Sequence, residues 1–396
     1  MKIVLCHVDC ANLGDAVIRE CACFLLRRIF ADAGIDDVKI EMLNIGEQPP
    51  ETVPYVRSQT QARILRRLKD YAPILQSRLA WRWSAHRRDF VARECCKLKG
   101  ADAIVFAGGG IIKFLRQKFH RYIDEITAWA NWHRVPVLFN AVGVEGFDGI
   151  DIRCRVLKNA LNRRCVKMVT TRDDEATLRE KYITGGRACV RRVADPALWT
   201  PEAFGISAHG APDRVVGLNV IRPEIFGEYL YPVEAAELAD LYAGLIRRLT
   251  ATGRRVELFS NGGVRDGAFI DTLLAAHPEL GTIVSVFRPR TAEDLVGCIA
   301  GYERVLAVRL HAAIVATALK VPNVSLVWND KQRFFGEAVR MSENFLGRED
   351  FTVDAISHRL LAAEGWREDV AYKDSALASL RMGLELGGVL RRRKGS

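Results

Sequence analysis

The stretch Arg304-Val-Leu-Ala-Val-Arg309-Leu310-His311-Ala-Ala-Ile-Val-Ala-Thr-Ala-Leu-Lys-Val-Pro322-Asn-Val-Ser-Leu-Val-Trp-Asn-Asp-Lys331 decides the fold. Residues 305–308 read as a short buried strand, the apolar run after His311 as a helix ending near Lys320, and 324–327 as a second buried strand. In an open α/β sheet, ligands bind where strands end and helices begin. A helix N-terminus adds N–H groups and a partial positive charge that favour an anion. Arg309 and His311 stand at that junction, with Leu310 between them. A fixed cation beside a titratable imidazole points to a phosphate or carboxylate ligand undergoing chemistry. The plainer reading is a surface ion pair and a packing histidine, and other stretches weigh against it.

Strands are expected near 215–220, 255–259 and 282–286 as well, with helices between, so the quoted stretch closes a whole α/β series. An earlier series precedes it. Residues 2–7 form a strand, Asp9-Cys-Ala-Asn12-Leu-Gly14-Asp15 a loop, the chain to about Ala33 a helix, and 38–43 the next strand. Asn12, Gly14 and Asp15 fall on the ligand side of such a sheet, although Asp15 could equally cap its helix. A strand at 103–107 runs into Gly108-Gly109-Gly110, which permits close backbone approach to a ligand or to another chain segment. The spacing is neither a Walker loop nor a dinucleotide fingerprint. Strands at 135–140 and 166–170 follow, and Thr171-Arg172-Asp173-Asp174-Glu175 opens a helix, placing Arg172 as Arg309 is placed. A strand at 190–193 leads to Ala194-Asp195-Pro196-Ala197, and the chain turns irregular over 201–212. The expected architecture is two Rossmann-like α/β domains facing a cleft, 1–205 and 206–370. A basic helical insertion interrupts the first at about 50–100, and a helix with a basic tail, 371–396, packs back across it.

Length and composition agree. The chain has 396 residues and is 49% hydrophobic, enough for two cores. No secretory leader and no apolar run of membrane-spanning length is read. Ten cysteines form no CxxC pair and no Cys/His metal spacing, so a reduced cytoplasmic chain without a metal is expected. The net charge of +10 is localised: residues 57–99 hold twelve Lys and Arg against three Asp and Glu. A second cluster, Arg391-Arg-Arg-Lys394, follows. Arginine beside Trp81 and Trp83 on an exposed helix would favour an anionic membrane surface, against the alternative of a solvated face. No nucleic-acid recognition motif accompanies the charge, so nucleic acid is not an expected partner.

Taken in order, Asn12-Leu-Gly14-Asp15, Gly108-Gly-Gly110, Thr171-Arg172-Asp173, Ala194-Asp195-Pro196-Ala197 and Arg309-Leu310-His311-Ala312 with Val321-Pro322 resemble the polysaccharide pyruvyltransferase family. The resemblance covers roughly residues 3–331. It implies a glycosyltransferase-B-like fold and transfer of the pyruvyl group of phosphoenolpyruvate to a sugar, commonly as a cyclic ketal. It implies that Arg172, Arg309, Leu310 and His311 contact phosphoenolpyruvate, a substrate rather than a cofactor. Many relatives carry Ser or Thr where Ala307 stands, which bears on donor affinity. Two arginines suit the donor's phosphate and carboxylate, and ketal formation needs a group exchanging protons near neutral pH. His311 is therefore the expected acid/base, and Asp15 the group orienting or deprotonating the acceptor hydroxyl. Asn12 and Gly108 to Gly110 are expected to line the substrate site. The expected acceptor is a sugar of a cell-surface polysaccharide or its lipid-linked precursor, at the inner face of the cell membrane. A glycosyltransferase using a nucleotide sugar and a non-catalytic basic adaptor are the alternatives.

Overall fold

A computed structural model describes residues 1–9, 12–46, 59–115, 119–207, 214–229 and 232–390. Arg57 and the Arg391 to Lys394 cluster lie outside them. The chain forms two compact units. The first comprises Met1–Asp9, Ala22–Val193 and Asp374–Ser396; the second comprises Cys10–Cys21 and Ala194–Lys373. Residues 194–205 thus group with the second unit, and most of the last helix with the first.

The first unit is built on six parallel strands: β1 (Lys2–His7), β2 (Lys39–Asn44), β3 (Ala103–Ala107), β4 (Val137–Val142), β5 (Val166–Thr171) and β6 (Cys189–Arg192). Their spatial order is β2-β1-β3-β4-β5-β6. β3 and β4 are buried along their whole length, as near-continuous apolar runs in a sheet covered on both faces must be. The order reverses between β1 and β3, so the glycines after β3 flank the crevice where such sheets take ligands. The last helix, Val370–Leu386, presses on β4: a Cβ on Gly383 would lie 3.0 Å from Leu138.

The basic segment folds as three helices, α1 (Gln59–Tyr71), α2 (Pro73–Arg82) and α3 (Ala85–Arg93). Much of its charge is spent inside the unit. Arg78 forms a two-pronged pair with Asp124, and Arg87 one with Glu125, both acids on the helix Phe119–His133. Trp81 is buried, stacks edge-on against Tyr122, and donates its indole N–H to Glu125. The expectation of an exposed Trp81 is therefore corrected: the ring is a packing anchor, because its apolar area and N–H both find partners on the facing helix. Arg63, Ile64, Lys69, Leu75 and Arg82 remain on the outside.

The second unit repeats the plan with β7 (Val215–Asn219), β8 (Arg255–Phe259), β9 (Val284–Phe287), β10 (Arg304–Ala307), β11 (Asn323–Leu326) and β12 (Phe345–Leu346). All are parallel, in the order β9-β8-β7-β10-β11-β12. The reversal falls between β7 and β10, which puts Arg309 at the crevice of this sheet. After β10 comes the helix Leu310–Ala318, buried from His311 onward. Lys320, at φ +60°, ends it in the left-handed conformation that stops helices.

Burial raises the pKa of thiols in both units: it pushes Cys165 up to about 11 and Cys95 and Cys298 up to about 12. Only thiolates react quickly, and Cys96 is exposed. At pH 8, Cys96→Ser is expected to remove a fast-reacting thiol from an Ellman titration of the native protein, and Cys165→Ser to leave the fast phase intact. The reverse pattern would contradict this packing.

Candidate active site

The strand-to-helix junction after β10 is pinned from the neighbouring strand. Asn219, at the end of β7, accepts hydrogen bonds through Oδ1 from the backbone of Val308 (3.3 Å) and Arg309 (2.9 Å). Arg309 is the N-cap of its helix and supplies no side-chain cap. Its guanidinium points instead to Asp266: Nε donates to Oδ2 at 2.9 Å, and Nη2 to Oδ1 and Oδ2 at 2.8 and 2.6 Å. The Asp266 side chain is 2% exposed and that of Arg309 20%. Asp266 Oδ1 also accepts from the Arg222 backbone N–H. No described residue accepts a hydrogen bond from Arg309 Nη1, so the carboxylate fixes the fork and leaves one edge of it for a ligand. Sequence reading missed Asp266, since an acid in the first turn of a helix already has an electrostatic explanation.

His311 is buried at 6% exposure. Its Nε2 lies 3.8 Å from Oδ2 of Asp195, beyond hydrogen-bond length. Asp195 is itself buried, and its Oδ1 caps the turn Pro196–Trp199 by accepting from Ala197 N–H. On the ring's other side sits Gly14. A Cβ there would fall 2.5–2.6 Å from His311 Cβ, Cγ and Nδ1, so only glycine lets the helix Leu13–Asp32 begin this close to the imidazole. The start of that helix is tied down by Asn12 rather than by Asp15. Asn12 Oδ1 accepts from Gly14 N–H at 3.4 Å, and its Nδ2 donates to Asp15 Oδ2 at 3.2 Å. Leu13 N–H bonds to the carbonyl of Asn261.

Asn12, Asp15, Arg309, Leu310 and His311 therefore share the second unit, together with Asp195 and Asp266. Arg172 and Gly108, Gly109 and Gly110 belong to the first. There Gly108 and Gly109 take φ +39° and +72°, and Gly109 accepts from Gly143 N–H at 2.6 Å. A Cβ on Gly143 would lie 3.2 Å from Gly110 Cα, so glycine at 143 lets the two loops at the strand ends pack closely. Arg172 is buried just beyond β5. The helix expected after it is only the turn Glu175–Thr177, capped by Asp174, followed by the wide turn Leu178–Tyr182. Asp173 Oδ1 accepts from the backbone N–H of Asp174 at 2.9 Å. It also accepts from Thr171 Oγ1–H and Val144 N–H, both at 2.8 Å, lashing the loop after β5 to the chain beyond β4. Asp173 Oδ2 is buried without a hydrogen-bond partner.

Among the described residues, no group of three or more His, Cys, Asp or Glu side chains could hold a metal ion, and no helix is long and apolar enough to cross a membrane. The model of the polysaccharide pyruvyl transferase family matches residues 12–330. Among curated proteins none matches in sequence. The fold is similar to that of a putative UDP-N-acetylglucosamine 2-epimerase from Listeria monocytogenes, at 11% identity and TM-score 0.54, covering 97% of this chain and 96% of that one. It is also similar to UDP-GlcNAc 2-epimerase from Methanocaldococcus jannaschii, at 13% identity and TM-score 0.53, covering 96% and 99%. Likeness at these identities shows the fold, a glycosyltransferase-B-like pair of Rossmann-like domains, and not the substrate.

Removing one partner of a buried ion pair costs about 3–5 kcal/mol. Asp266→Ala is expected to destabilise the protein by that order in urea unfolding, and Asp266→Ala with Arg309→Ala by less than the two singles added. Strict additivity would show the pair to be uncoupled. Gly14→Ala is expected to cost about 1–3 kcal/mol through overpacking against His311, checked in the same assay.

Proposed function

The chain belongs to the polysaccharide pyruvyl transferase family, and on that premise we propose that it transfers the pyruvyl group of phosphoenolpyruvate to two hydroxyls of a sugar, forming a ketal and releasing phosphate. The observation that carries this reading is Arg309-Leu310-His311 at the head of a buried helix, where the second sheet reverses its order. A guanidinium there suits an anion, and an imidazole is the side chain suited to exchanging protons near neutral pH.

In this reading His311 protonates the donor methylene, a sugar hydroxyl attacks the resulting cationic carbon, and its proton returns to His311. The carbon–oxygen bond to phosphate then breaks, its electron pair leaving with the phosphate, and the second hydroxyl attacks the same carbon to close the ring, its proton passing to the departing phosphate. Asp195 lies beside the ring, its Oδ2 3.8 Å from Nε2. Arg309, fixed by Asp266, holds an anionic group of the donor. Asp15, anchored by Asn12, orients the acceptor hydroxyl. The acceptor is a lipid-linked polysaccharide precursor at the inner face of the membrane. The outward Arg63, Lys69 and Leu75 support that placement.

Ligand-induced stabilisation tests the donor. Phosphoenolpyruvate, and not UDP, GDP or CMP, is expected to raise the melting temperature of the wild type, and Arg309→Ala to abolish the rise. A rise with a nucleotide alone would make the chain a glycosyltransferase.

A further inference from the structure

The loop after β8, Ser260-Asn261-Gly262-Gly263, leads into a helix, Val264–Ala276, whose start is open. Its N-cap is Gly263, with no side-chain cap, and no described residue accepts from the N–H groups of Val264, Arg265 and Asp266. The one acid in its first turn has turned its carboxylate to Arg309 and to Arg222 N–H, so its charge is balanced there. Beside this start, Asn261 is 1% exposed. Its Oδ1 accepts from Asn219 Nδ2 at 2.9 Å, which fixes the amide's orientation, and its Nδ2 is buried with no acceptor among the described residues. A buried unpaired donor costs about 1–3 kcal/mol, a cost that a ligand oxygen removes on binding.

The arrangement is continuous with the site described above. Asn261 bonds to Asn219, Asn219 to the backbone of Arg309, and Asp266 in the open first turn to the Arg309 guanidinium. β8 lies next to β7, and β7 next to β10. The donors of this neighbourhood are an amide, three helix N–H groups and the remaining edge of an arginine. Such a set suits a phosphate dianion and offers nothing to a sugar hydroxyl seeking an acceptor.

We propose that Asn261 and the open start of the helix Val264–Ala276 bind the phosphate group of the donor and stabilise it as it leaves. This rests on the donor reading above. Asn261 Nδ2 donates to one phosphate oxygen, and the first-turn N–H groups donate to others.

Calorimetric titration of orthophosphate and of phosphoenolpyruvate into the full-length protein tests it, with two variants chosen to fold. Asn261→Asp keeps the shape and the oxygen that Asn219 needs but replaces the donor by a charge. Val264→Pro removes one N–H at an 81% exposed first helical position, where proline is favoured and where Gly263, at φ −65° and ψ 124°, suits a following proline. Losing a charge-assisted hydrogen bond corresponds to about tenfold or more in affinity. Both anions are expected to bind Asn261→Asp at least about tenfold more weakly and Val264→Pro severalfold more weakly, with unliganded melting temperatures close to wild type for Val264→Pro. Phosphoenolpyruvate binding untouched by either variant would overturn the proposal and leave the donor reading standing. Orthophosphate binding sensitive to both, with no affinity for phosphoenolpyruvate, would uphold the anion site and overturn the donor reading. Absence of binding by either anion to wild type would overturn the proposal.

Discussion

A buried guanidinium–carboxylate pair governs the second unit. Arg309 and Asp266 come from the ends of different strands, separated by 43 positions, and meet in three hydrogen bonds. Neither charge could sit there alone, since desolvation would cost several kcal/mol without the partner. Their meeting fixes where the helix after β8 stands relative to the helix after β10. Asn219 completes the frame from the central strand by holding the Arg309 backbone and the Asn261 amide at once. The functional junction is thus assembled by polar contacts among three strand ends, on a sheet whose apolar interior supplies rigidity and no chemistry.

The fold was legible because its signal is local. Continuous apolar runs of strand length, broken by helical periods, announce a parallel sheet, and β8 falls where the sequence places it, at 255–259. The junction at Arg309 and His311 was legible for the same reason, as polar residues interrupting an apolar strand and helix. Asp195, Asp266 and Asn261 were not singled out. Each has an ordinary local explanation as a cap, a first-turn acid or a turn residue, and its importance arises only from what tertiary folding brings beside it. The basic segment misled in the opposite sense. Its charge count is real, but Arg78 and Arg87 answer Asp124 and Glu125, acids some 40 residues away.

Gly14 shows how a motif can be read correctly for position and only later for reason. Its place after the first strand marks the ligand side, yet the turn conformation that glycine usually supplies is not what is needed. Backbone proximity to the His311 ring is the requirement, and Asn12 performs the capping for which Asp15 seemed suited. The first unit has a parallel case at Gly143, where a Cβ would lie 3.2 Å from Gly110 Cα and glycine lets two loops at the strand ends approach.

The dipeptide Asn261-Gly262 carries a chemical liability of its own. An asparagine followed by glycine is the pair most prone to succinimide formation, because no side chain shields the next backbone nitrogen. Here that nitrogen is engaged by Ser260 Oγ at 3.3 Å and the asparagine is buried, so the native fold itself acts as the preservative. Preparations kept partly unfolded would age at this one position, gaining a negative charge and a mass increase of one unit on the order of a proton. The chemical durability of this loop and its folded state are, for this reason, the same property.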